Sequence, residues 1–177
     1  MPPFEKPKNA LLSALPEEIC RHLFPKLERH ALVFGEKVYN PGDVFTHVYF
    51  VESGIVSMLA VIDAHSTLEV SMVGSEGMVA LPVFLGIAAS NNRAIVQGTG
   101  LALRMTTADF LEECKLRDDL PRIMRLFTYS ILMQISRTAA CNRFHAIEAR
   151  LARWLLMTQD RMKTSEFRIT QDFMSYM

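Results

Sequence analysis

The spacing of apolar residues changes twice along the chain, and each change indicates a different kind of secondary structure. Residues 9–29 place apolar side chains at steps of three and four, the period of an amphipathic helix, and Pro16 is expected to open a second helical segment. From about residue 30 to 106 the period becomes two, as in Thr67–Val73, where polar and apolar residues alternate as in a half-buried strand. The helical spacing returns after residue 107. The pattern predicts helix, then sheet, then helix again.

Glycine-containing segments divide the β-rich region into short strands. The Glu-Ser-Gly segment at 52–54 suits a tight hairpin that needs positive φ, and the Gly-Thr-Gly segment at 98–100 is expected to separate two further strands. The Pro-Gly-Asp segment at 41–43 is another turn signal. About six to eight short strands with regular turns are typical of a barrel or sandwich. With the flanking helices, we predict an α+β fold built on an antiparallel, jelly-roll-like β-roll.

Shorter elements are predicted around a long C-terminal helix. Residues 107–115 form a short helix that Thr107 can cap, and residues 146–162 form an amphipathic helix. Residues 167–170 form a short strand, and Thr170 is the N-cap of a final helix. This last unit is too small to close a core of its own.

The long helix, predicted at residues 116–142, contains no glycine, and its only proline, Pro121, lies in the first turns where proline is tolerated. A heptad count places a seam along one side over three heptads, which is typical of paired helices. We therefore predict that this helix pairs with its copy in a homodimer. The predicted interface residues are Leu120, Met124, Phe127, Ile131, Gln134, Thr138 and Cys141. A second apolar set leaves the seam and is expected to face the roll: Ile123, Leu126, Met133 and Ile135.

Composition is that of an ordinary globular protein. Half of the residues are hydrophobic, but no apolar run approaches the ~20 residues of a membrane helix, and the first residues lack the apolar core of a signal peptide. We therefore expect a cytoplasmic protein that does not enter the membrane. Cys20, Cys114 and Cys141 are far apart, which predicts reduced thiols and no disulfide or metal site.

The net charge of zero conceals an asymmetry between the two ends. Residues 1–114 carry 8 Lys/Arg against 13 Asp/Glu, a net charge of −5, whereas residues 115–177 carry 11 against 6, a net charge of +5. An acidic front and a basic back suggest that only the C-terminal part approaches a polyanion.

The order of these elements resembles the Crp–Fnr superfamily of transcription regulators along the whole chain. Residues 40–43 (Asn-Pro-Gly-Asp) resemble the early glycine turn of that family, and residues 49–54 resemble the strand and glycine before its next strand. Residues 149–156 look like the first helix of the winged helix-turn-helix domain, and residues 167–173 look like its strand-threonine-helix entry. Each motif is short, and their order and spacing together carry the resemblance.

The resemblance implies a cyclic-nucleotide-binding-like sensory domain at 1–115, a dimerisation helix at 116–142 and the start of a winged helix-turn-helix domain at 143–177, without its recognition helix. In that family an effector in the roll changes the pose of the dimer helices, which reorients two recognition helices for adjacent major grooves. An effector-responsive, homodimeric regulator that binds DNA as the full-length protein is thus implied. The effector, the operator and the sign of regulation stay open, as does whether the natural protein continues past residue 177.

The residues that hold a cyclic nucleotide in such relatives are only partly matched. Met78 and Val79 occupy the positions of a Gly-Glu pair, and Asn92 occupies that of the phosphate-binding arginine, with Arg93 one residue later. Neighbours on a strand point to opposite faces, so this shift of one residue matters. Of the pair that contacts the base, only Ser136 is retained. A small molecule of another kind is therefore favoured over a cyclic nucleotide, and no cofactor is assigned.

A pocket between the roll and the long helix is expected whatever the effector, because the packing that forms it belongs to the fold. If the loop that contains Glu76 were shifted by a few residues, Glu76 would enter this pocket and replace the carboxylate of the Gly-Glu pair. The candidate ligand-binding residues are Val73, Leu81, Phe84, Leu85, Arg93, Ala94, Ile131, Ile135 and Ser136.

Two alternatives belong to other functional classes. A cupin-type metal enzyme needs two or three histidines and a carboxylate on neighbouring strands, but His47 and His65 stand apart in the sequence. Motifs of nucleotide-binding and hydrolytic enzymes are missing, so we expect no catalytic or metal-binding residues. The alternative that stays open is a truncated protein that senses a ligand and dimerises without contacting DNA.

Overall fold

A computed structural model describes residues 6–63, 66–164, 166–167 and 170–176. In this part of the chain, six strands form one antiparallel sheet that curls into the predicted β-roll. Their order is β1-β6-β3-β4, with β2 paired to β6 and β5 paired to β3. The strands are β1 Glu28–Leu32, β2 Lys37–Tyr39, β3 His47–Val61, β4 Thr67–Val73, β5 Met78–Val79 and β6 Arg93–Thr106.

The two longest strands run without interruption through the glycine segments that predicted turns. β3 passes through Gly54 and β6 passes through Gly98 and Gly100, with register shifts in their pairing beside Gly54. Gly54 has a φ of +85°, and a Cβ there would collide with the carbonyl oxygen of Gly98. A Cβ at Gly100 would collide with the backbone of Ser53. The predicted hairpin and strand break are therefore wrong, because these glycines let two paired strands bend together at close approach.

The helices lie close to their predicted positions. They are α1 Ala10–Ser13, α2 Glu17–Leu23, α3 Thr107–Leu116, α4 Asp119–Phe144, α5 Ile147–Met162 and α6 Gln171–Ser175. Thr106, rather than Thr107, caps α3, and its Oγ1 accepts a hydrogen bond from the Asp109 amide at 3.1 Å. Thr170 caps α6 as predicted, since its Oγ1 accepts from the Phe173 amide at 3.3 Å. The strand predicted before α6 includes residues 168 and 169, which lie outside the described residues.

The side of α4 that the heptad count assigned to a partner instead faces the roll. Leu120, Met124 and Phe127 are buried within the main core of the single chain. The Gln134 side chain makes two hydrogen bonds to the backbone of Met72 in β4, at 2.7 and 3.2 Å. The buried members of the predicted interface, Leu120, Met124, Phe127 and Cys141, are thus enclosed by the single chain, which contradicts the prediction that they face a partner. Ile131, Gln134 and Thr138 are only partly buried.

Candidate functional site

A cavity of about 370 Å³ lies between the roll and α4. Its wall is formed by β4, β5, the segment at 80–92 that leads into β6, and part of α4 between residues 128 and 135. The volume lies within the range of about 300–1,000 Å³ that is typical of small-molecule sites. Leu85 and Ile87 are part of the wall and are about half exposed, so the rim of the cavity is apolar.

The wall of this cavity is uncharged. Among the described residues that form it, there is no Asp, Glu, Lys, Arg or His. Tyr39 contributes a phenol whose hydroxyl donates to the Met58 sulfur at 3.2 Å, and burial raises the pKa of Tyr39, so the phenol stays neutral. The remaining polar groups come mainly from Thr128 and from residues 90–92 (Ser-Asn-Asn).

The structure places the nine predicted ligand-binding residues in different surroundings. Those on the cavity wall are Val73, Leu81, Leu85, Ile131 and Ile135. Phe84 and Ala94 pack with the core of the roll. Ser136 is exposed, and its hydroxyl donates to the Leu132 carbonyl of its own helix at 2.9 Å.

Neither of the two charged candidates, Arg93 and Glu76, lines the cavity. The Arg93 Nε donates to the Asn40 side chain at 3.2 Å, whereas the preceding residue, Asn92, lies on the wall. Glu76 accepts a hydrogen bond from the Arg161 Nε of α5 at 2.7 Å. The shifted loop that would bring Glu76 into the cavity is therefore not the arrangement of this structure.

A buried carboxylate lies where the roll meets α5. Glu69 of β4 is 8% exposed, and its Oε1 accepts a hydrogen bond from the indole of Trp154 at 3.0 Å. Burial raises the pKa of Glu69 to about 7, against the opposing effect of hydrogen bonds from Ser57 and Trp154. The side chains of Ile55 and Met72 pack against Trp154 and complete the contact. The first helix after α4 is thus attached to the sheet by an apolar contact with a titratable group at its edge.

The outer side of α4 carries exposed apolar residues. Leu126 and Tyr129 are 64% and 63% exposed, Leu132 is 54% exposed and Met133 is 38% exposed. On a helical wheel they centre opposite Leu120, which is buried against the roll. The helix therefore has two apolar sides, and one of them is uncovered in the single chain.

The part of the chain that the structure describes has neither a metal-binding cluster nor a membrane-spanning helix. Within it, no group of three or more His, Cys, Asp or Glu side chains is arranged to hold a metal ion, and no helix has the length and hydropathy of a membrane span. His65, one of the two histidines considered for a metal site, lies outside the described residues.

Comparisons with known proteins give matches among solved structures alone. No protein-family model and no curated protein matches the chain. The c-di-GMP responsive global regulator CLP of Xanthomonas campestris superposes with a TM-score of 0.72 at 18% identity, covering 91% of this chain and 84% of CLP. FixK2 of Bradyrhizobium japonicum superposes with a TM-score of 0.70 at 11% identity, covering 85% and 76% of the two chains. The catabolite activator protein of Thermus thermophilus gives 0.60 at 16% identity, covering 76% and 63%.

The chain has the Crp–Fnr fold. Its antiparallel sheet and accompanying helices agree with those neighbours over most of the chain. The helix α4, Asp119–Phe144, lies close to the position of the long helix that the sequence predicted. The resemblance inferred from short motifs is therefore confirmed at the level of fold.

Some residues of the cavity wall were not among the sequence-based candidates. They include Tyr39, Met58, Thr128 and Leu132, together with Asn92. Asn92 had a sequence signal, since it falls where the phosphate-binding arginine of nucleotide-binding relatives is expected. Tyr39 and Met58 come from β2 and β3, and only the curvature of the roll brings them to the same cavity.

Proposed function

We propose that this chain is the sensory and dimerising part of an effector-responsive transcription regulator of Crp–Fnr type, acting in the cytoplasm. In this proposal residues 1–115 sense the effector, α4 dimerises, and the DNA-binding domain begins after α4. One observation carries it. The single helix α4 contributes to the wall of a ligand-sized cavity, presents an uncovered apolar side and leads directly into α5.

The uncovered side of α4 is the proposed dimer interface. Exposed Leu126, Tyr129, Leu132 and Met133 recur at steps of three and four, as in a helix that pairs with another helix. Leaving several large apolar side chains together in water is unfavourable, and covering them with a second copy removes that cost. In a twofold dimer each residue near the axis meets its own counterpart.

The proposed signal passes from the cavity to the interface through the thickness of one helix. Ile131 and Ile135 line the cavity, and Leu132 and Met133 lie between them in sequence and reach toward the uncovered side. A ligand that fills the cavity shifts or stabilises α4, and both copies respond because they share the interface. The contact of Trp154 with the roll then determines how the DNA-binding domain sits. No enzymatic step is needed for this function.

Charge placed on the uncovered side of α4 tests this proposal. We expect the double variant Tyr129→Glu/Met133→Glu to sediment as a monomer of 20.1 kDa, and the unmodified chain to sediment as a dimer. Four carboxylates brought together at an apolar interface repel and are costly to bury, so association is lost. Sedimentation velocity at micromolar concentration is the measurement.

Ser130→Glu is the matched control for this experiment, because Ser130 is exposed on α4 but lies to the side of the apolar stripe. It should leave the dimer intact. Dimers that persist in Tyr129→Glu/Met133→Glu would contradict the proposed interface.

A further inference from the structure

The cavity between the roll and α4 also limits which kind of effector it accepts. We propose that its ligand is an uncharged, mainly apolar small molecule with few polar atoms, and that it is neither a cyclic nucleotide nor another phosphate or carboxylate. This inference rests on the proposed function, since it identifies the chemical class of the effector for the same cavity.

The absence of charge on the described wall is the first argument. An anion moved from water into an enclosed apolar site must find a cation or several aligned donors, otherwise the lost hydration is not replaced. Arg93 is the basic residue adjacent in sequence to the wall, but it does not line the cavity, and its Nε donates to the Asn40 side chain. Arg161, on α5, is engaged by Glu76. Neither guanidinium lines the cavity, so neither donates to a phosphate inside it.

The polar groups on the wall are neutral, and several are already in use. The Ser90 hydroxyl donates to the Asn92 carbonyl at 2.7 Å and accepts from the Asn92 amide at 3.1 Å. The Thr128 hydroxyl donates to the Met124 carbonyl of its own helix at 2.7 Å. The Tyr39 hydroxyl donates to Met58. Several polar groups of the wall are therefore already engaged in hydrogen bonds, and its other polar side chains, those of Ser71 and of residues 91–92, are uncharged.

The apolar part of the wall extends to the entrance. Leu85 and Ile87 on the rim are 57% and 50% exposed. Apolar side chains kept at a cavity mouth are typical of ligand-binding surfaces. An apolar molecule that enters here covers the rim, and its contact with Ile131 and Ile135 couples its binding to α4.

Two ligands with the same chain and different charge test the proposal. The probe is the neutral dye Nile red, whose fluorescence rises in apolar surroundings, and the competitors at pH 8 are 1-decanol and decanoate. We expect 1-decanol to displace the dye at concentrations at least tenfold lower than decanoate. Cyclic AMP and cyclic di-GMP are expected not to displace it. Equal competition by decanol and decanoate, or displacement by either nucleotide at micromolar concentration, would overturn the proposal.

Adjacent alanines give a matched pair of variants that localises the dye. Ala89 lies on the wall, whereas Ala88 is its exposed neighbour and does not line the cavity. Ala89→Phe should weaken dye binding at least tenfold by filling the space, and Ala88→Phe should leave it unchanged. Equal effects of the two substitutions would contradict binding in the cavity. Asn92→Arg adds the missing cation without adding bulk to the core. In this variant the preference for decanol over decanoate, measured as the ratio of the concentrations that displace the dye, should fall at least tenfold.

The dimer variants separate failure of this inference from failure of the proposed function. Tyr129→Glu/Met133→Glu should retain dye binding, because neither Tyr129 nor Met133 lines the cavity. Loss of dye binding in this variant would count against the cavity as the dye site. A chain that is dimeric but prefers decanoate overturns the ligand class alone. A chain that is monomeric in sedimentation overturns the proposed function, even where the dye binds as expected.

Discussion

Glu69 is a carboxylate in a position where a charge is costly. It lies in β4 beneath α5, with the indole of Trp154 as one hydrogen-bond donor and with Ser57 close by. Because burial raises its pKa to about 7, the folded protein holds a proton that the unfolded chain releases at its ordinary pKa of about 4.3. The stabilisation that this proton provides is complete at pH values below the unfolded pKa and is lost as the pH rises through about 7.

The stability of the protein should therefore fall between pH 5.5 and 8 in a way that depends on Glu69. We expect the free energy of unfolding to decrease by about 2 kcal/mol over this interval because of this residue. Glu69→Gln keeps the oxygen that accepts from Trp154 and removes the titration, so its profile should be flatter by the same amount. Urea unfolding at fixed protein concentration measures both. Parallel profiles for the two proteins would show that Glu69 does not titrate in this range.

A shift of one residue decides the chemistry of the cavity. From the sequence alone, Asn92 and Arg93 were both reasonable neighbours of a ligand, and the direction of each side chain depends on where β6 begins. The structure starts β6 at Arg93 and directs its side chain to Asn40, which leaves Asn92 on the wall. Alternation along a strand is easily read from sequence, but its phase relative to a ligand is set by the loop before the strand.

At the scale of elements, α4 shows what an apolar pattern can and cannot predict. Its extent, its lack of glycine and its two apolar sides all follow from the sequence. The assignment of those sides does not, because Leu120 and Phe127 fit a heptad as well as Leu126 and Met133 do. The contact with the roll decides between them, and that contact depends on residues far away in sequence, including Gly77 and Val73.

Gly77 lies directly against the Phe127 ring of α4. A Cβ at this position would lie 2.5 Å from two carbons of the Phe127 ring and 2.9 Å from Val73. We expect Gly77→Ala to destabilise the protein by about 1–3 kcal/mol, the usual cost of forcing extra volume into a packed core. Thermal or urea unfolding measures the change.

A double-mutant cycle assigns that cost to the Phe127 ring. Phe127→Ala removes the ring that the new methyl group would meet, so Gly77→Ala should cost much less in that background. Additive effects of the two substitutions would show that the cost arises elsewhere, for example from the backbone at Gly77.

The bends of β3 and β6 are a second case in which the sequence pattern was incomplete. Glycine at 54, 98 and 100 is compatible with turns or with a close crossing of bent strands, since both remove the Cβ. Hydrogen bonding favours the crossing, because it keeps β3 and β6 paired along most of their length. The local sequence shows that glycine is required at these positions. It does not show which partner strand creates the requirement.

At the scale of the whole molecule, the parts follow the order in which a signal would pass. The cavity lies between the roll and α4, the uncovered apolar side lies across the same helix, and α5 begins three residues after α4 ends. The amino-acid sequence predicted the order of the helices and strands and the Crp–Fnr-like fold. Both depend on the periodicity of apolar residues and on the order of the segments along the chain. The sequence could not predict the neutral wall of the cavity, since that surface combines residues from β2, β3, β4 and α4 through tertiary curvature.

Disulfide cross-linking of α4 tests most directly that this helix pairs with its copy through the uncovered side. Ser136 lies on that side and Ser130 lies beside it, and both are exposed. Under mild oxidation, Ser136→Cys should give a disulfide-linked dimer on a non-reducing gel, because equivalent residues near a twofold axis approach within disulfide distance. Ser130→Cys, which keeps the same native cysteines, should stay largely monomeric on the gel. Cross-linking through residue 130 but not through residue 136 would contradict the account.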